Sequence, residues 1–244
     1  MAELGLGVWV ARVAQNDGTL AGAPTWMSAA ERQRWMALTE VGRGAFAASR
    51  RLLRDALGAA TGLAADGWQV SAEAGSAPLA SRRDGERVSA PQVSIAHRLG
   101  WVAVAVGAAD GGAIGVDIEC DRPSRSDPSQ RAALVLPPGE FVRWQALDAG
   151  EREAALLRAW VAREAWFKAA GAGAQWDFRR LAAEPCDAAD ANVRLWESGP
   201  VRMALCARDA VALAGASCSG WPASADVRCS SWRVSVLAPG TGFA

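Results

Sequence analysis

The chain has 244 residues, 51% hydrophobic and 21% charged, enough apolar mass to bury the core of one large or two small domains and too much for a disordered chain. Its 26 Lys plus Arg balance 26 Asp plus Glu, so no global basic field exists to gather nucleic acid or anionic lipid. No apolar run reaches the roughly 20 residues of a membrane span, the start lacks the basic region of an export signal, and five cysteines without a CxxC pair fit a reduced, cytoplasmic protein.

Alternation over 4–13 (LGLGVWVARV) predicts an opening strand, and helical spacing predicts one helix over 29–58, ending at Gly58. Residues 67–81 read as strand and loop, and 91–108 as a hairpin turning at Leu99-Gly100. The Gly-rich joint 107–115 is the expected boundary between subdomains 1–111 and 112–244. Beyond it, AIGVDIEC (113–120) predicts a strand, 121–140 a Pro/Ser-rich loop, and 150–170 a long helix stopped by Gly171. Short antiparallel strands are expected over 193–218, with one more strand and a tail after Ser219. Both halves order strand, helix and hairpin alike without obvious sequence identity, which predicts an α+β fold of two related subdomains.

Two residue types that often do chemistry each occur once, Lys168 and His97. Arginine replaces lysine everywhere else, so the surviving lysine suggests a need for a compact ammonium. On the strand, Gly115, Asp117 and Glu119 share one face and Ile114, Val116 and Ile118 the other, with alternate positions about 7 Å apart. Two carboxylates at that separation can bracket one hard cation, although an isolated DxE is more often a solvated strand face. The helix supplies an independent signal. Its winding places Leu157, Trp160, Val161 and Phe167 on one arc with Glu164 near the centre and Lys168 beside it, leaving Ala155, Arg158, Ala162 and Arg163 for the rest. An ion pair inside an apolar arc costs several kcal/mol of desolvation unless further partners compensate.

GVDIE followed about 40 residues later by WVAREAWFKAAG resembles, in order and spacing, the paired motifs of the 4′-phosphopantetheinyl transferases. The Arg-rich first helix, the segment AGSAP (74–78) and the histidine of VSIAHR resemble the larger, pseudodimeric class that includes the surfactin synthetase activators. The resemblance implies two similar subdomains, each a small, mostly antiparallel sheet packed with helices. It also implies transfer of 4′-phosphopantetheine from coenzyme A to a serine of an acyl or peptidyl carrier protein, releasing 3′,5′-ADP, in a monomer that needs neither nucleic acid nor membrane. By the same resemblance, Asp117, Glu119 and Glu164 would hold Mg²⁺, or Mn²⁺ in its place. Lys168 would neutralise the pyrophosphate and protonate the leaving group, Glu164 would act as base directly or through a metal-bound water, and His97 and Arg163 would contact coenzyme A.

The chain departs from the family pattern at three places. Arg163 precedes Glu164 where lysine is common, Ala96 precedes His97 where serine is common, and Ser76-Ala77 replaces a position that often carries lysine. A hydroxyl contact to a phosphate would then be missing or come from Ser94, and the 3′-phosphate would rely on Arg43, Arg50, Arg82 or Arg83, with Arg34 a solvated alternative. Arg122, Arg125 and Arg131 on the 121–140 segment would meet an acidic carrier helix, against the alternative of solvated loop charge. Rival readings are a non-catalytic coenzyme A or carrier-binding protein and a metal-dependent nuclease. Nuclease cores usually set the lysine two residues after an acid on a strand, whereas here four residues separate Glu164 and Lys168 on a helix.

Overall fold

A computed structural model describes residues 5–13, 22–71, 73, 77–85, 89–121, 127–171 and 176–238. Strand β1 (Gly7–Arg12) opens the fold, and the predicted single helix is two: α1 (Ala29–Met36) and α2 (Glu40–Thr61). The break has a local cause. Thr39 caps α2 by accepting from Gly42 N–H, and Arg43 donates to Met36 O and Leu38 O at 3.0 and 3.1 Å, satisfying carbonyls left open where α1 ends. Ser28 and Glu31 close a capping box at the start of α1.

A two-stranded ribbon, β2 (Trp68–Val70) and β3 (Ala80–Arg82), precedes the hairpin of β4 (Gln92–Arg98) and β5 (Trp101–Gly107). This hairpin turns at Leu99-Gly100 as the sequence predicts, with φ of 44° and 78°. Strand β6 (Ile114–Cys120) follows. The expected loop 121–140 instead contains α3 (Pro128–Val135) and the start of α4 (Pro138–Gln145). Its prolines open helices: Pro128 and Pro138 both occupy first-turn positions, where a missing N–H costs nothing. Helix α5 (Ala149–Ala170) is followed by β7 (Leu181–Pro185), β8 (Val193–Ser198), β9 (Val201–Ala207), α6 (Ala210–Ala214), β10 (Ser217–Ser219) and β11 (Arg228–Val236).

The strands form sheets ordered β10-β1-β5-β4 and β6-β9-β8-β11-β7, antiparallel except where β10 pairs with β1. Strand alternation assigns each face. Val102, Val104 and Val106 pack under Leu53 and Leu57 of α2, whereas Ala103, Ala105, Val8 and Val10 pack on Ile114, Val116, Ile118, Met203 and Leu205 of the second sheet. The outer face of the second sheet, with Val193, Leu195, Ala204 and Cys206, is covered by α5. The result is a mixed α+β fold of small, mainly antiparallel sheets packed with helices. Edge strands β4 and β6 meet where Val116 N–H donates to Ser94 Oγ at 3.0 Å.

The two halves repeat a framework. Adding 109 to the residue numbers of α1 and α2 (29–36 and 40–61) gives α4 and α5 (138–145 and 149–170). The contacts repeat with them. Arg43 and Arg152 each donate to two carbonyls at the end of the preceding helix and lie over Trp35 and Trp144. Arg54 and Arg163, both fully buried, each donate to the carbonyl four residues earlier and pair with Glu31 and Glu140 at 2.7 Å. Adding 100 to β5 gives β9, and adding it to residues 93–98 of β4 gives β8, with the pair His97–Val102 matched by Glu197–Arg202.

Candidate active site

The candidate site begins with a glycine. A Cβ on Gly115 would lie 2.0 Å from Ala165 O, 2.6 Å from Ala169 N and 2.9 Å from Lys168 Cβ, so only glycine lets α5 lie this close to β6. The same strand face carries Asp117 and Glu119, as alternation predicts. Close approach puts Lys168 Nζ 2.7 Å from Asp117 Oδ1 and 3.1 Å from Val116 O, with Glu164 Oε2 at 3.9 Å. Glu164 Oε1 accepts from Trp160 Nε1 at 3.0 Å, which fixes the carboxylate on its helix. Lys168 and Glu164 keep 25% and 23% of their side-chain surface, whereas Asp117 keeps 8%. Two reachable groups thus flank a buried one.

The neighbouring sheet completes the cluster. Arg98, at the end of β4, places Nε 2.9 Å from Glu119 Oε2. His97 stands at the rim with part of its surface open, and partial desolvation by the atoms packed around it, then the charges of Lys168 and Arg98, hold its pKa below the ordinary histidine value. Asp117 moves the other way. Burial pushes it up, Lys168 opposes, and Glu164 and Glu119 add to the rise, leaving it at about 7. These influences put Asp117, Glu119, Glu164, Lys168, His97 and Arg98 in one electrostatic neighbourhood.

The carboxylates can be tested as metal donors. Three hard oxygen donors suit Mg²⁺ or Mn²⁺, and Asp117 Oδ2 is buried without a hydrogen-bond partner among the described residues. Among those residues no three acidic, histidine or cysteine groups close into a ligand shell. Lys168 stands on Asp117 and Arg98 on Glu119 instead. The donor set therefore fits a divalent cation once these two protein cations yield.

Several sequence-predicted residues lie elsewhere. Arg163, expected beside coenzyme A, is fully buried, donating to Glu140 and to the carbonyls of Ala159, Phe178 and Leu181. Ala162 and Arg163, which helical winding sets outside the apolar arc, are buried as well, because α3, α4 and the second sheet enclose the helix there. Arg43 is committed to the end of α1, and Arg83 to Trp26 O. Ser94 is buried, its hydroxyl held by Val116 N–H. Arg82 donates to Asp84 at 2.6 Å and stacks over Trp68, its Nε and Nη1 without hydrogen-bond partners among the described residues. Arg50 is the least committed. It lies over Phe46, and its Nε and Nη1 are buried without hydrogen-bond partners among the described residues. Burial lowers its pKa to about 10, with the charge of Glu31 opposing and those of Arg54 and Arg34 adding, so it stays cationic at neutral pH. Arg131 is held bidentately by Glu153, while Arg122, Arg125 and most of the AGSAP segment (74–76) fall outside the described residues.

Comparison with known proteins adds one finding. Residues 113–219 match the model of the 4′-phosphopantetheinyl transferase superfamily. The match covers β6 through β10 and so includes Gly115, Asp117, Glu119, Glu164 and Lys168, but not His97, Arg98 or the arginines of the first half. A comparison with curated proteins finds no match. No helix among the described residues is long and apolar enough to cross a membrane.

The sequence reading did not anticipate Gly115 as the spacer, Trp160 as the support of Glu164, or Arg98. A glycine within a strand pattern marks close backbone approach and was a legible signal for the first. Arg98 and Glu119 are 21 positions apart on different sheets, and no local pattern links them.

Proposed function

We propose that this protein transfers the 4′-phosphopantetheine of coenzyme A to a serine hydroxyl of an acyl or peptidyl carrier protein. The observation that carries the reading is the Lys168–Asp117 contact at 2.7 Å beside Glu164, made possible by Gly115, within the segment matched to the transferase superfamily. The 22-residue helices α2 and α5 on repeated frameworks favour the larger, pseudodimeric class.

The transfer forms a bond between serine oxygen and the β-phosphorus of coenzyme A and breaks the bond from that phosphorus to the bridging oxygen, releasing 3′,5′-ADP. Glu164, part exposed and oriented by Trp160, takes the serine proton. Lys168 neutralises the pyrophosphate as a compact point charge and donates a proton to the departing oxygen. His97, kept mostly neutral, still donates one ring N–H to a coenzyme A phosphate. Arg50, whose Nε and Nη1 lack hydrogen-bond partners among the described residues, is the candidate for the 3′-phosphate once its guanidinium turns outward, with Arg82 as a second donor. Asp117, Glu119 and Glu164 would hold Mg²⁺, which when bound offsets charge building on the leaving phosphate oxygen.

Incubation of the protein with coenzyme A, Mg²⁺ and a panel of fatty-acid, polyketide and nonribosomal-peptide carriers tests the reading by intact-mass spectrometry. Mg²⁺-dependent gain of one phosphopantetheine on serine is expected for at least one carrier. Tight coenzyme A binding without transfer to any carrier would instead mark a binding protein.

A further inference from the structure

We propose that Arg98 couples metal binding to coenzyme A binding, held by Glu119 before metal arrives and by the polyphosphate after it, an inference that rests on the transfer reading above. Its Nε lies 2.9 Å from Glu119 Oε2, with side chains 37% and 16% exposed. The pair joins edge strand β4 of the first sheet to edge strand β6 of the second. In this arrangement all three candidate metal carboxylates face a protein cation, Asp117 and more distantly Glu164 facing Lys168, at 2.7 and 3.9 Å, and Glu119 facing Arg98.

A divalent ion and a guanidinium repel each other across one carboxylate, so metal at Glu119 weakens its hold on Arg98. The guanidinium then needs another anion. A pyrophosphate offers two oxygens to its planar fork, and Arg98, on Glu119, lies at the end of β4 in the same charged cluster as Lys168 and Glu164. Metal and coenzyme A thereby favour each other's binding: metal releases Arg98, and the polyphosphate takes it up.

Two observations set Arg98 apart from the repeated framework. Its counterpart 100 positions later is Ser198, so the hairpin forms without an arginine there. The residue after it, Leu99, holds a left-handed φ of 44° where the second hairpin has Gly199 at 53°. The turn that aims Arg98 is thus built on a strained, non-glycine residue.

Calorimetric titration of the full chain tests the coupling, with Mn²⁺ alone and with coenzyme A in the presence of Mn²⁺. Relative to wild type, Arg98→Ala should bind Mn²⁺ about fivefold more tightly, because its internal competitor is gone. It should bind coenzyme A about tenfold more weakly, having lost a charged donor. Arg98→Lys should fall between, and it keeps the test intact if Arg98→Ala fails to fold. A purely structural role would weaken both ligands together. Mn²⁺ affinity that is unchanged or reduced in both variants, or coenzyme A affinity that is unchanged, overturns the coupling while leaving transfer intact if the wild type still labels a carrier. A wild type that binds neither ligand overturns both.

Discussion

Helices α2 and α5 rest on the same framework, yet only one carries the candidate chemistry. In each, a buried arginine pairs with a glutamate of the preceding short helix, and the side chains of Arg54 and Glu31 are wholly inaccessible. The difference begins at the strand. Pairing registers match Gly7 to Val106 and Gly115 to Cys206, so β1 aligns with β6 at an offset of 108, and Trp9 and Ala11 stand where the second half has Asp117 and Glu119. On the helices, Asp55 and Ala59 stand where α5 has Glu164 and Lys168. Asp55 is exposed and pairs with Arg51 at 3.0 Å. An architecture that repeats therefore does not imply a site that repeats, because the framework ion pairs and the reactive groups occupy separate helix faces.

The largest expected effect tests that asymmetry. Glu164→Ala and Asp117→Ala should each lower carrier labelling by about 10²- to 10³-fold or more with the fold retained by circular dichroism. Asp55→Ala, at the matching position, should leave labelling within about twofold, in line with an ordinary surface substitution. Equal loss in all three would erase the distinction between the halves. Lys168 sharpens it further: as the only side-chain amine, it should react more slowly with an amine reagent when Mg²⁺ and coenzyme A are present, as peptide mapping can read.

The buried pairs should behave alike. Arg54→Ala and Arg163→Ala are each expected to cost about 3–5 kcal/mol in denaturant unfolding, since each leaves a carboxylate buried without its cation. A folded, fully stable Arg163→Ala protein with weakened coenzyme A binding would return Arg163 to the site. The pH dependence follows for Glu31. Desolvation alone would raise its carboxyl, but hydrogen bonds from Arg54 and Ser28 N–H, together with the charge of Arg54, hold it below 4.5. Its stabilisation is present above pH 4.5 and is lost as pH falls through the folded value, so Glu31→Gln should flatten the acid limb of the stability curve.

The smallest effect concerns the unequal turns. Leu99→Asn should stabilise the protein by about 0.5–1 kcal/mol, because asparagine tolerates the left-handed region that leucine resists. An unchanged or lower denaturation midpoint would mean that contacts of the Leu99 side chain outweigh the strain.

The sequence by itself determined the features set by local periodicity and backbone chemistry. Alternation placed Asp117 and Glu119 on one strand face, the helix repeat set Glu164 beside Lys168, and Leu99-Gly100 marked the hairpin turn. Capping chemistry was also present, in Ser28 with Glu31 and in Thr39, but the run of helix formers on both sides masked the break between α1 and α2. The prolines that open α3 and α4 read as loop because the same residue both starts helices and ends them. Only the tertiary structure decided which faces of α5 were closed. Arg163 was expected beside coenzyme A because it precedes Glu164 in the motif, yet α4 supplied Glu140 from 23 positions away and sealed it. The same holds for Arg98 on Glu119: ion pairs between sheets depend on where edge strands meet, and that position is set by long-range packing rather than by any window of sequence.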